Sequence, residues 1–197
     1  MRKILVTEPH QPPRAAFQSL VDQIWERNWL TNNGPLVREL EGLLAQRLDI
    51  PTLAYVANGT LALQLALEAL DIRGDVLTTA FSYVATASSI SWQHCNPVMV
   101  DVCPDTLNID PACIEKSLTP DTTCILATHV FGNPCDVHAL EAIGRKHNLK
   151  IIYDGAHAFG TTYLDRSVLS YGDVSTVSFH STKLYHSIEG GGIICND

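Results

Sequence analysis

The sequence predicts an α/β fold in which a mainly parallel central sheet carries helices on both faces. Apolar, strand-like runs alternate with helical patterns along most of the chain, an order that is typical of parallel sheets. Several runs, such as Ile125-Leu126-Ala127 and Ile151-Ile152-Tyr153, are apolar without interruption, as expected for strands buried on both faces. The 197 residues, of which 46% are hydrophobic, suffice for one domain with a sizeable core.

The chain begins with an irregular arm, residues 1–13, followed by two predicted helices. The first covers residues 14–27, with its apolar residues on one face. An Asn-Asn-Gly-Pro turn at residues 32–35 separates it from the second, because Pro35 suits the first turn of a helix. The leucines expected to face inward from the second helix are Leu36, Leu40, Leu43, Leu44 and Leu48.

Strands and helices alternate from residue 53 onward. Strands are predicted at residues 53–56, 76–79, 97–100, 123–128 and 149–153, and helices at residues 58–70 and 84–92, after Asp110-Pro111, and at residues 137–147. The Ser and Thr content of residues 84–92 weakens the helical pattern there. Two final apolar runs, residues 174–179 and 192–195, have no long helix between them, which predicts a pair of adjacent strands.

Composition excludes several classes of function. The net charge of −8 is spread along the chain, which argues against a nucleic-acid surface and against attraction to anionic membranes. No stretch approaches the roughly 18 apolar residues of a transmembrane helix, and the N-terminal apolar run is too short for a signal peptide. The six cysteines form no C-x-x-C and no zinc-type spacing, so we expect reduced thiols, no metal site and a cytoplasmic protein.

Candidate functional residues follow the predicted strands. In an open parallel sheet, ligands bind beyond the carboxyl ends of the strands, so the residues after each strand define the expected site. These residues are Asn58-Gly59-Thr60, Phe81-Ser82-Tyr83, His129, Asp154-Gly155-Ala156-His157 and Ser178 to Lys183.

Lys183 has the setting of a Schiff-base lysine. It lies five residues after Ser178, beyond an apolar strand and before the glycines of residues 190–192. Such a lysine must lose its proton, because only the free amine is nucleophilic, and burial shifts a lysine readily in that direction. The alternative is the solvated surface charge that most lysines are.

Four other features could bind a ligand, and each has a plain structural alternative. Gly59-Thr60 could cradle a phosphate at a helix start, or simply form the N-terminal cap of that helix. Tyr83 could stack on a flat ring, or be a core aromatic. Asp154 could pair with a protonated ring nitrogen, or make a cap or structural hydrogen bond. His157 could brace a ligand oxygen, or fill a polar niche.

Taken together, these residues match one cofactor. The sequence contains no phosphate-binding P-loop, no dinucleotide fingerprint after a strand and no serine nucleophile elbow. What remains is a lysine, a strand-end aspartate, an aromatic residue and a phosphate-type helix start. Pyridoxal 5′-phosphate (PLP) needs these four groups.

Seven segments, in order, resemble motifs of the DegT/DnrJ/EryC1/StrS sugar aminotransferase family, over essentially the whole chain. Seven ordered matches are far more specific than any one of them. The segments are Trp29-Leu30-Thr31 with Gly34-Pro35 and Glu41, Ala57 to Leu63, Ala80 to Ala87, Asp101 with Asp105 to Asp110, His129 to Gly132, Asp154 to Gly160, and Ser178 to Lys183 with Glu189-Gly190-Gly191.

The resemblance implies a role for each matched residue. Lys183 would hold PLP covalently and shuttle a proton, and Asp154 would pair with the pyridinium nitrogen. Tyr83 would stack on the ring, and His157 would lie near its ring oxygen. The remaining assignments are Gly59, Thr60 and Ser178 at the phosphate, and Thr31, residues 32–34 and His180 near the sugar nucleotide.

The resemblance also implies a reaction and a wider architecture. Residues 1–197 would form the PLP-binding large domain of an aspartate-aminotransferase-like fold, in a homodimer. The enzyme would transfer an amino group from glutamate to a nucleotide-linked keto-sugar, and the His-x-Thr-Lys form favours a 4-keto-6-deoxyhexose. The resemblance implies a further C-terminal domain, which we expect to be absent from residues 1–197. The alternative is therefore a catalytically incomplete fragment or a non-enzymatic paralogue with a binding role. Sulfur removal from cysteine fits less well, because no catalytic cysteine loop is found.

Overall fold

The helices and strands follow the predicted order. A computed structural model describes residues 4–5 and 7–196. Its helices are α1 (Arg14–Arg27), α2 (Pro35–Leu48), α3 (Gly59–Ala69), α4 (Val84–Trp92), α5 (Pro111–Ser117) and α6 (Val137–His147), with 3₁₀ turns at Val130–Gly132 and Val168–Ser170. Its strands are β1 (Ala54–Val56), β2 (Asp75–Thr78), β3 (Asn96–Met99), β4 (Thr122–Thr128), β5 (Lys150–Asp154), β6 (Thr162–Tyr163), β7 (Arg166–Ser167), β8 (Val174–Ser178) and β9 (Gly191–Cys195).

Seven strands form one twisted sheet in the order β1-β9-β8-β5-β4-β2-β3. β9 is antiparallel to both of its neighbours, and the pairs β2–β3, β2–β4, β4–β5 and β5–β8 are parallel. β1 therefore points the same way as β8, and only β9 is reversed within this sheet of the described chain. The predicted α/β class, the mainly parallel sheet and the adjacent final strand pair are confirmed.

Helix starts agree with the capping residues of the sequence. Pro35 occupies the first turn of α2. The Asn58 side chain accepts a hydrogen bond from the Leu61 amide at 2.8 Å and caps α3. Asp110 does the same for α5, through the Ala112 amide at 2.9 Å. The Asn58 cap fixes where α3 begins relative to the end of β1.

Helices cover both faces of the sheet. On one face, α3 and α4 pack through Leu67 and Ile90 against the strand residue Leu126. On the other face, α5 and α6 pack against Ile125 and Ile151 in a separate core cluster. Successive strand residues point to opposite faces, so the uninterrupted apolar runs of β4 and β5 supply both cores.

The inward face of α2 is narrower than predicted. Leu44 and Leu48 are buried in a third core cluster with Val177 of β8, and Leu40 packs against its edge. Leu43 is 57% exposed, so its predicted inward position is wrong. The reason is that α2 covers only the β8–β9 end of the sheet, where one leucine stripe at i, i+4 spacing fills the contact.

The N-terminal segment has few core contacts. No residue of α1 is buried, although the helix carries apolar residues on one face as predicted. Residues 7–13 form no helix or strand, which agrees with the predicted arm; residues 1–3 and 6 of that arm lie outside the described residues, as does Asp197. The His10 carbonyl oxygen lies 2.9 Å from His186 Nε2, which ties the arm to the loop before β9.

The described residues contain no helix that is both long and apolar enough to cross a membrane. Among the same residues, no group of three or more His, Cys, Asp or Glu side chains is arranged to hold a metal ion. All six cysteines are free thiols.

Candidate active site

A cavity of about 510 Å³ lies at the carboxyl edge of the parallel strands. It is bounded by the start of α3, the rim before α4, the ends of β4, β5 and β8, and the segment between β8 and β9. The sequence-predicted residues that line it are Gly59, Thr60, Tyr83, Asp154, His157, Ser178, His180 and Lys183. The fold therefore brings together eight candidates that are distributed over more than 120 residues of sequence.

Asp154 supplies a buried carboxylate to this cavity. It is the last residue of β5 and only 5% exposed. Its Oδ2 accepts a hydrogen bond from Thr86 Oγ1 at 2.8 Å, and its Oδ1 accepts one from the Ala156 amide at 3.1 Å. The carboxylate is thus held on both oxygens by neutral donors, which leaves its charge to act on the cavity.

Lys183 is half-buried in the turn that follows β8. Burial lowers the pKa of its amine, and the nearby Asp154 carboxylate acts in the opposite direction. Its amide donates to the His180 carbonyl oxygen at 2.9 Å, and the Ser181 amide donates to the Ile188 oxygen at 2.9 Å, which holds the turn. A lowered pKa increases the fraction of free, nucleophilic amine at neutral pH.

His157 lies at the cavity mouth. Partial burial of its ring and then the charge of Lys183 lower the pKa of this histidine, while Asp154 acts the other way. Its ring is parallel to that of Phe131, with centroids 6.5 Å apart. A neutral imidazole can both donate and accept a hydrogen bond, so His157 suits a ligand oxygen in either protonation state.

The start of α3 forms a polar cup beside the end of β8. The first amides of a helix have no partner within it, and in the described chain no side chain caps those of Gly59 and Thr60. A Cβ on Gly59 would lie 3.0 Å from the Ser178 Cβ, so glycine permits this close approach. Gly191 of β9 packs more tightly still, since a Cβ there would lie 2.5 Å from the Asn58 oxygen. Two helix-terminal amides and the Ser178 hydroxyl suit a phosphate.

Tyr83 and Thr31 differ in their relation to the cavity. Tyr83 lies at its rim immediately before α4 and is 73% exposed, so it is not a core aromatic. Thr31 lines a separate cavity of about 150 Å³ between α1 and α2. Its carbonyl oxygen accepts a hydrogen bond from Trp29 Nε1 at 2.6 Å. The structure therefore does not bring Thr31 to the residues around Lys183.

His180 contacts two further residues that line the cavity. Its Nδ1 lies 2.8 Å from Thr182 Oγ1, and its Nε2 lies 3.6 Å from Glu189 Oε1. Thr182 lies in the predicted stretch Ser178 to Lys183 and Glu189 in the matched Glu189-Gly190-Gly191 motif, but neither was assigned a role. Their positions within the same short segment as Lys183 were the signal that could have identified them.

Two threonines were missed by sequence reasoning. Thr86 is fully buried and contacts Asp154, as described above. Thr128, the last residue of β4 and the register partner of Asp154, lines the cavity. Its Oγ1 is buried and, within the described residues, has no hydrogen-bond partner. A buried hydroxyl without a partner at a cavity wall fits a site that a polar ligand completes.

These features together fit PLP. The cavity combines a phosphate cup, an amine with a lowered pKa, a buried carboxylate and the unpartnered Thr128 hydroxyl. A flat, phosphorylated pyridine aldehyde offers an acceptor or donor for each of them.

Comparison by sequence identifies a family and its members. The model of the DegT/DnrJ/EryC1/StrS aminotransferase family matches residues 13–197. A dTDP-4-amino-4,6-dideoxy-D-glucose transaminase of Shigella dysenteriae is 47% identical over 195 residues, which are 99% of this chain and 53% of the relative. The chain therefore spans about half the length of the curated relatives it matches.

Comparison with solved structures also finds sugar aminotransferases. The crystal structure of DesI in the presence of its TDP-sugar product superposes with a TM-score of 0.95 at 34% identity, over 98% of this chain and 49% of DesI. A Streptococcus pneumoniae protein assigned to the sugar aminotransferases, solved in its PLP form, gives 0.89 at 28% identity, over 98% of this chain and 53% of that protein.

Proposed function

The chain belongs to the DegT/DnrJ/EryC1/StrS aminotransferase family, and on that premise we propose that it is the PLP-binding large domain of a sugar aminotransferase. The enzyme would transfer an amino group from glutamate to a nucleotide-linked keto-sugar. One observation carries this proposal: Lys183, with a lowered pKa, and the buried Asp154 carboxylate line the same cavity. That pairing is what PLP chemistry needs and what a surface lysine lacks.

The proposed catalytic pair is Lys183 and Asp154. Bound PLP supplies an electron sink for the substrate carbon. The free amine of Lys183 would hold the cofactor covalently and, once released, would carry a proton to and from that carbon. Asp154, held by two hydrogen bonds, would keep its carboxylate directed at the ring nitrogen.

The other cavity residues would bind and orient the cofactor. The amides of Gly59 and Thr60 and the hydroxyl of Ser178 would hold its phosphate, since all three lie together at the start of α3. His157 would lie near the ring oxygen. Tyr83, exposed at the rim, would cover one face of the ring when it is bound.

The substrate assignment rests on the relatives. The Shigella dysenteriae relative is named for a dTDP-linked 4-amino-4,6-dideoxyglucose, and DesI was solved with a TDP-sugar product. Both support a nucleotide-linked 4-keto-6-deoxyhexose as the amino acceptor. His180, which lines the cavity, would contact the sugar. Thr31 stays a prediction, because within one chain it lies at a different cavity.

A homodimer is the proposed assembly. Aromatic side chains at the cavity rim are exposed, Tyr83 by 73% and Phe131 by 74%, and α1 exposes Trp25 by 72%. Apolar surface of this kind marks contact sites. A second copy would cover the rim and complete the site. Analytical ultracentrifugation should therefore give twice the chain mass, and a monomer at all concentrations would contradict it.

The free thiols are in keeping with a cytoplasmic location.

The experiment that tests the function is a transamination assay. Purified protein, PLP and glutamate are mixed with a dTDP-linked 4-keto-6-deoxyhexose, and the aminated sugar nucleotide is measured by mass spectrometry. The wild-type protein should form product, and Lys183→Ala should form none. Lys116→Ala is the matched control, because Lys116 is an exposed lysine at the end of α5.

A second candidate is a binding-only form of the same fold. It is favoured by one observation, the coverage of about half of the relatives' length. PLP binding without turnover would support this candidate. Product formation that depends on Lys183 would exclude it.

A further inference from the structure

The Asp154 carboxylate is held from two separate elements of the fold. Thr86, in the first turn of α4, donates its hydroxyl hydrogen to Oδ2 at 2.8 Å. The Ala156 amide, in the loop after β5, donates to Oδ1 at 3.1 Å. Thr86 lies 68 residues before Asp154 in the sequence and is fully buried. This contact is therefore made by tertiary structure and not by the local turn.

The hydrogen bond from the Thr86 hydroxyl to Asp154 is unusual for a helical threonine. Threonine hydroxyls in helices commonly bond back to a carbonyl of the preceding turn. Here the hydroxyl instead points across to β5, where it meets a carboxylate that is 5% exposed. A hydrogen bond to a charged acceptor is stronger than one to a neutral carbonyl, so this contact stabilises one rotamer of each side chain.

Buried threonines of the sheet, unlike Thr86 of α4, do not make such a contact. The Oγ1 atoms of Thr78 and Thr128 have no partner among the described residues. Thr176 Oγ1 makes only a long contact, 3.4 Å, to the Tyr153 carbonyl oxygen. A buried threonine in this fold thus does not need a carboxylate partner to be accommodated, which singles out Thr86.

We propose that Thr86 is a positioning residue, which fixes the plane of the Asp154 carboxylate so that it faces the ring nitrogen of the bound cofactor. Thr86 does not itself line the cavity and acts only through Asp154. With one oxygen fixed by α4 and the other by the loop after β5, the carboxylate cannot rotate about its Cβ–Cγ bond without losing a hydrogen bond. This inference rests on the proposed function, since it assumes that PLP occupies the cavity.

The test compares Thr86→Val, which removes the hydroxyl at nearly constant shape, with Thr86→Ser, which retains it. Thr78→Val is the matched control, because it removes a buried threonine hydroxyl that has no hydrogen-bond partner among the described residues. PLP affinity is measured from the visible absorbance of the bound cofactor. Thr86→Val should weaken PLP binding by about tenfold or more, the effect expected for one lost hydrogen bond to a charged group. Thr86→Ser and Thr78→Val should stay close to wild type.

Crystal structures of the cofactor-free wild type and variants give a second readout that does not need PLP. The Asp154 carboxylate should be rotated or disordered in Thr86→Val and unchanged in Thr86→Ser. An unchanged carboxylate and unchanged PLP affinity in Thr86→Val would overturn the proposal. If Thr86→Val does not fold, Thr86→Ala takes its place against Thr86→Ser, and equal behaviour of the two would overturn it. If wild type does not bind PLP, the proposed function fails, while the carboxylate geometry still decides the role of Thr86.

Discussion

The Asp154 carboxylate raises the pKa of Lys183, against the larger lowering effect of burial. Asp154 ends β5 and Lys183 lies in the turn that follows β8, and both line one cavity. Their opposition keeps the amine closer to its protonated form than burial alone would. Binding of a positively charged ring nitrogen to Asp154 would offset the carboxylate charge and so favour the free amine. In the proposed site, the pair would thus couple cofactor binding to the reactivity of the lysine.

Replacing Asp154 by Asn should lower the pKa of Lys183 further. The variant removes the charge that favours the ammonium form, whereas burial continues to oppose it. The amine pKa can be measured in cofactor-free protein by NMR after reductive ¹³C-methylation of lysines. The exposed Lys116 provides a reference signal in both proteins. An unchanged or higher Lys183 pKa in Asp154→Asn would show that the carboxylate does not act on the amine.

A methyl group at residue 59 should weaken cofactor binding. The Cβ of Gly59→Ala would lie 3.0 Å from the Ser178 Cβ, which forces the phosphate cup to open. We expect the PLP dissociation constant to rise by about tenfold, the cost of about one hydrogen bond to a charged group. Gly42→Ala is the control, since a Cβ there would have no atom of the described residues within 4 Å. It should leave PLP affinity unchanged and raise the free energy of unfolding by about 0.5–1 kcal/mol. Equal PLP affinity in both variants would show that Gly59 is not part of the phosphate-binding cup.

Two adjacent leucines of α2 should differ sharply in their effect on stability. Leu44 is 4% exposed within the third core cluster, and Leu43 is 57% exposed. Leu44→Ala should lower the free energy of unfolding by about 2–5 kcal/mol, because it leaves a cavity. Leu43→Ala should change it by no more than about 0.5 kcal/mol. Urea denaturation measures both, and similar losses would mean that Leu43 is covered in solution.

The free energy of unfolding should decrease as pH is lowered, because His129 is buried in its neutral form. This residue is fully buried, its Nδ1 accepts the Cys135 amide at 3.0 Å, and burial lowers its pKa to about 4. An unfolded histidine has a pKa of about 6.5. Between these values the unfolded chain binds a proton that the folded chain does not. The free energy of unfolding should therefore decrease as pH falls from about 6.5 to about 4, by about 3 kcal/mol in total.

Urea denaturation at several pH values checks this slope. His129→Asn should show a shallower dependence over the same interval, because the buried imidazole is gone. His94→Asn is the control: His94 is exposed with a φ of 58°, a conformation that asparagine adopts readily. It should retain the wild-type slope. If His129→Asn has the same pH dependence of the free energy of unfolding as wild type, other groups cause that dependence.

Sequence periodicity predicted the order of elements well, because continuous apolar runs and capping residues are local signals. Asp110-Pro111 marked the start of α5, and Asn58 marked that of α3. The position of β1 was not predictable, since β1 joins the sheet only through the reversed strand β9. Strand neighbours in a sheet are set by tertiary packing, which periodicity does not encode.

The short β6–β7 hairpin was also missed. Its turn places Leu164 and Asp165 at positive φ, of 49° and 61°, where the usual sequence signal is Asn-Gly or Asp-Gly. Leucine is rare in that conformation, so the sequence carried no hairpin signal.

The residues around Lys183 were predictable to different degrees. Strand-end positions identified Asp154 and Ser178, because carboxyl ends of parallel strands meet at one edge. Thr86 was not identified. The Thr and Ser content of residues 84–92 weakened the helix prediction, yet Thr86 and Ser89 of that helix are buried. A contact between residues 68 positions apart has no local signature.

Reduction of the PLP-loaded protein with borohydride, followed by peptide mass mapping, tests the central claim most directly. The chain has five lysines, at residues 3, 116, 146, 150 and 183. The proposed site requires the reduced pyridoxyl mass on the peptide that contains Lys183, with the label lost in Lys183→Ala and retained in Lys116→Ala. Labelling of another lysine, or no label on a protein shown to be folded, would contradict the assignment of Lys183 as the residue that holds the cofactor.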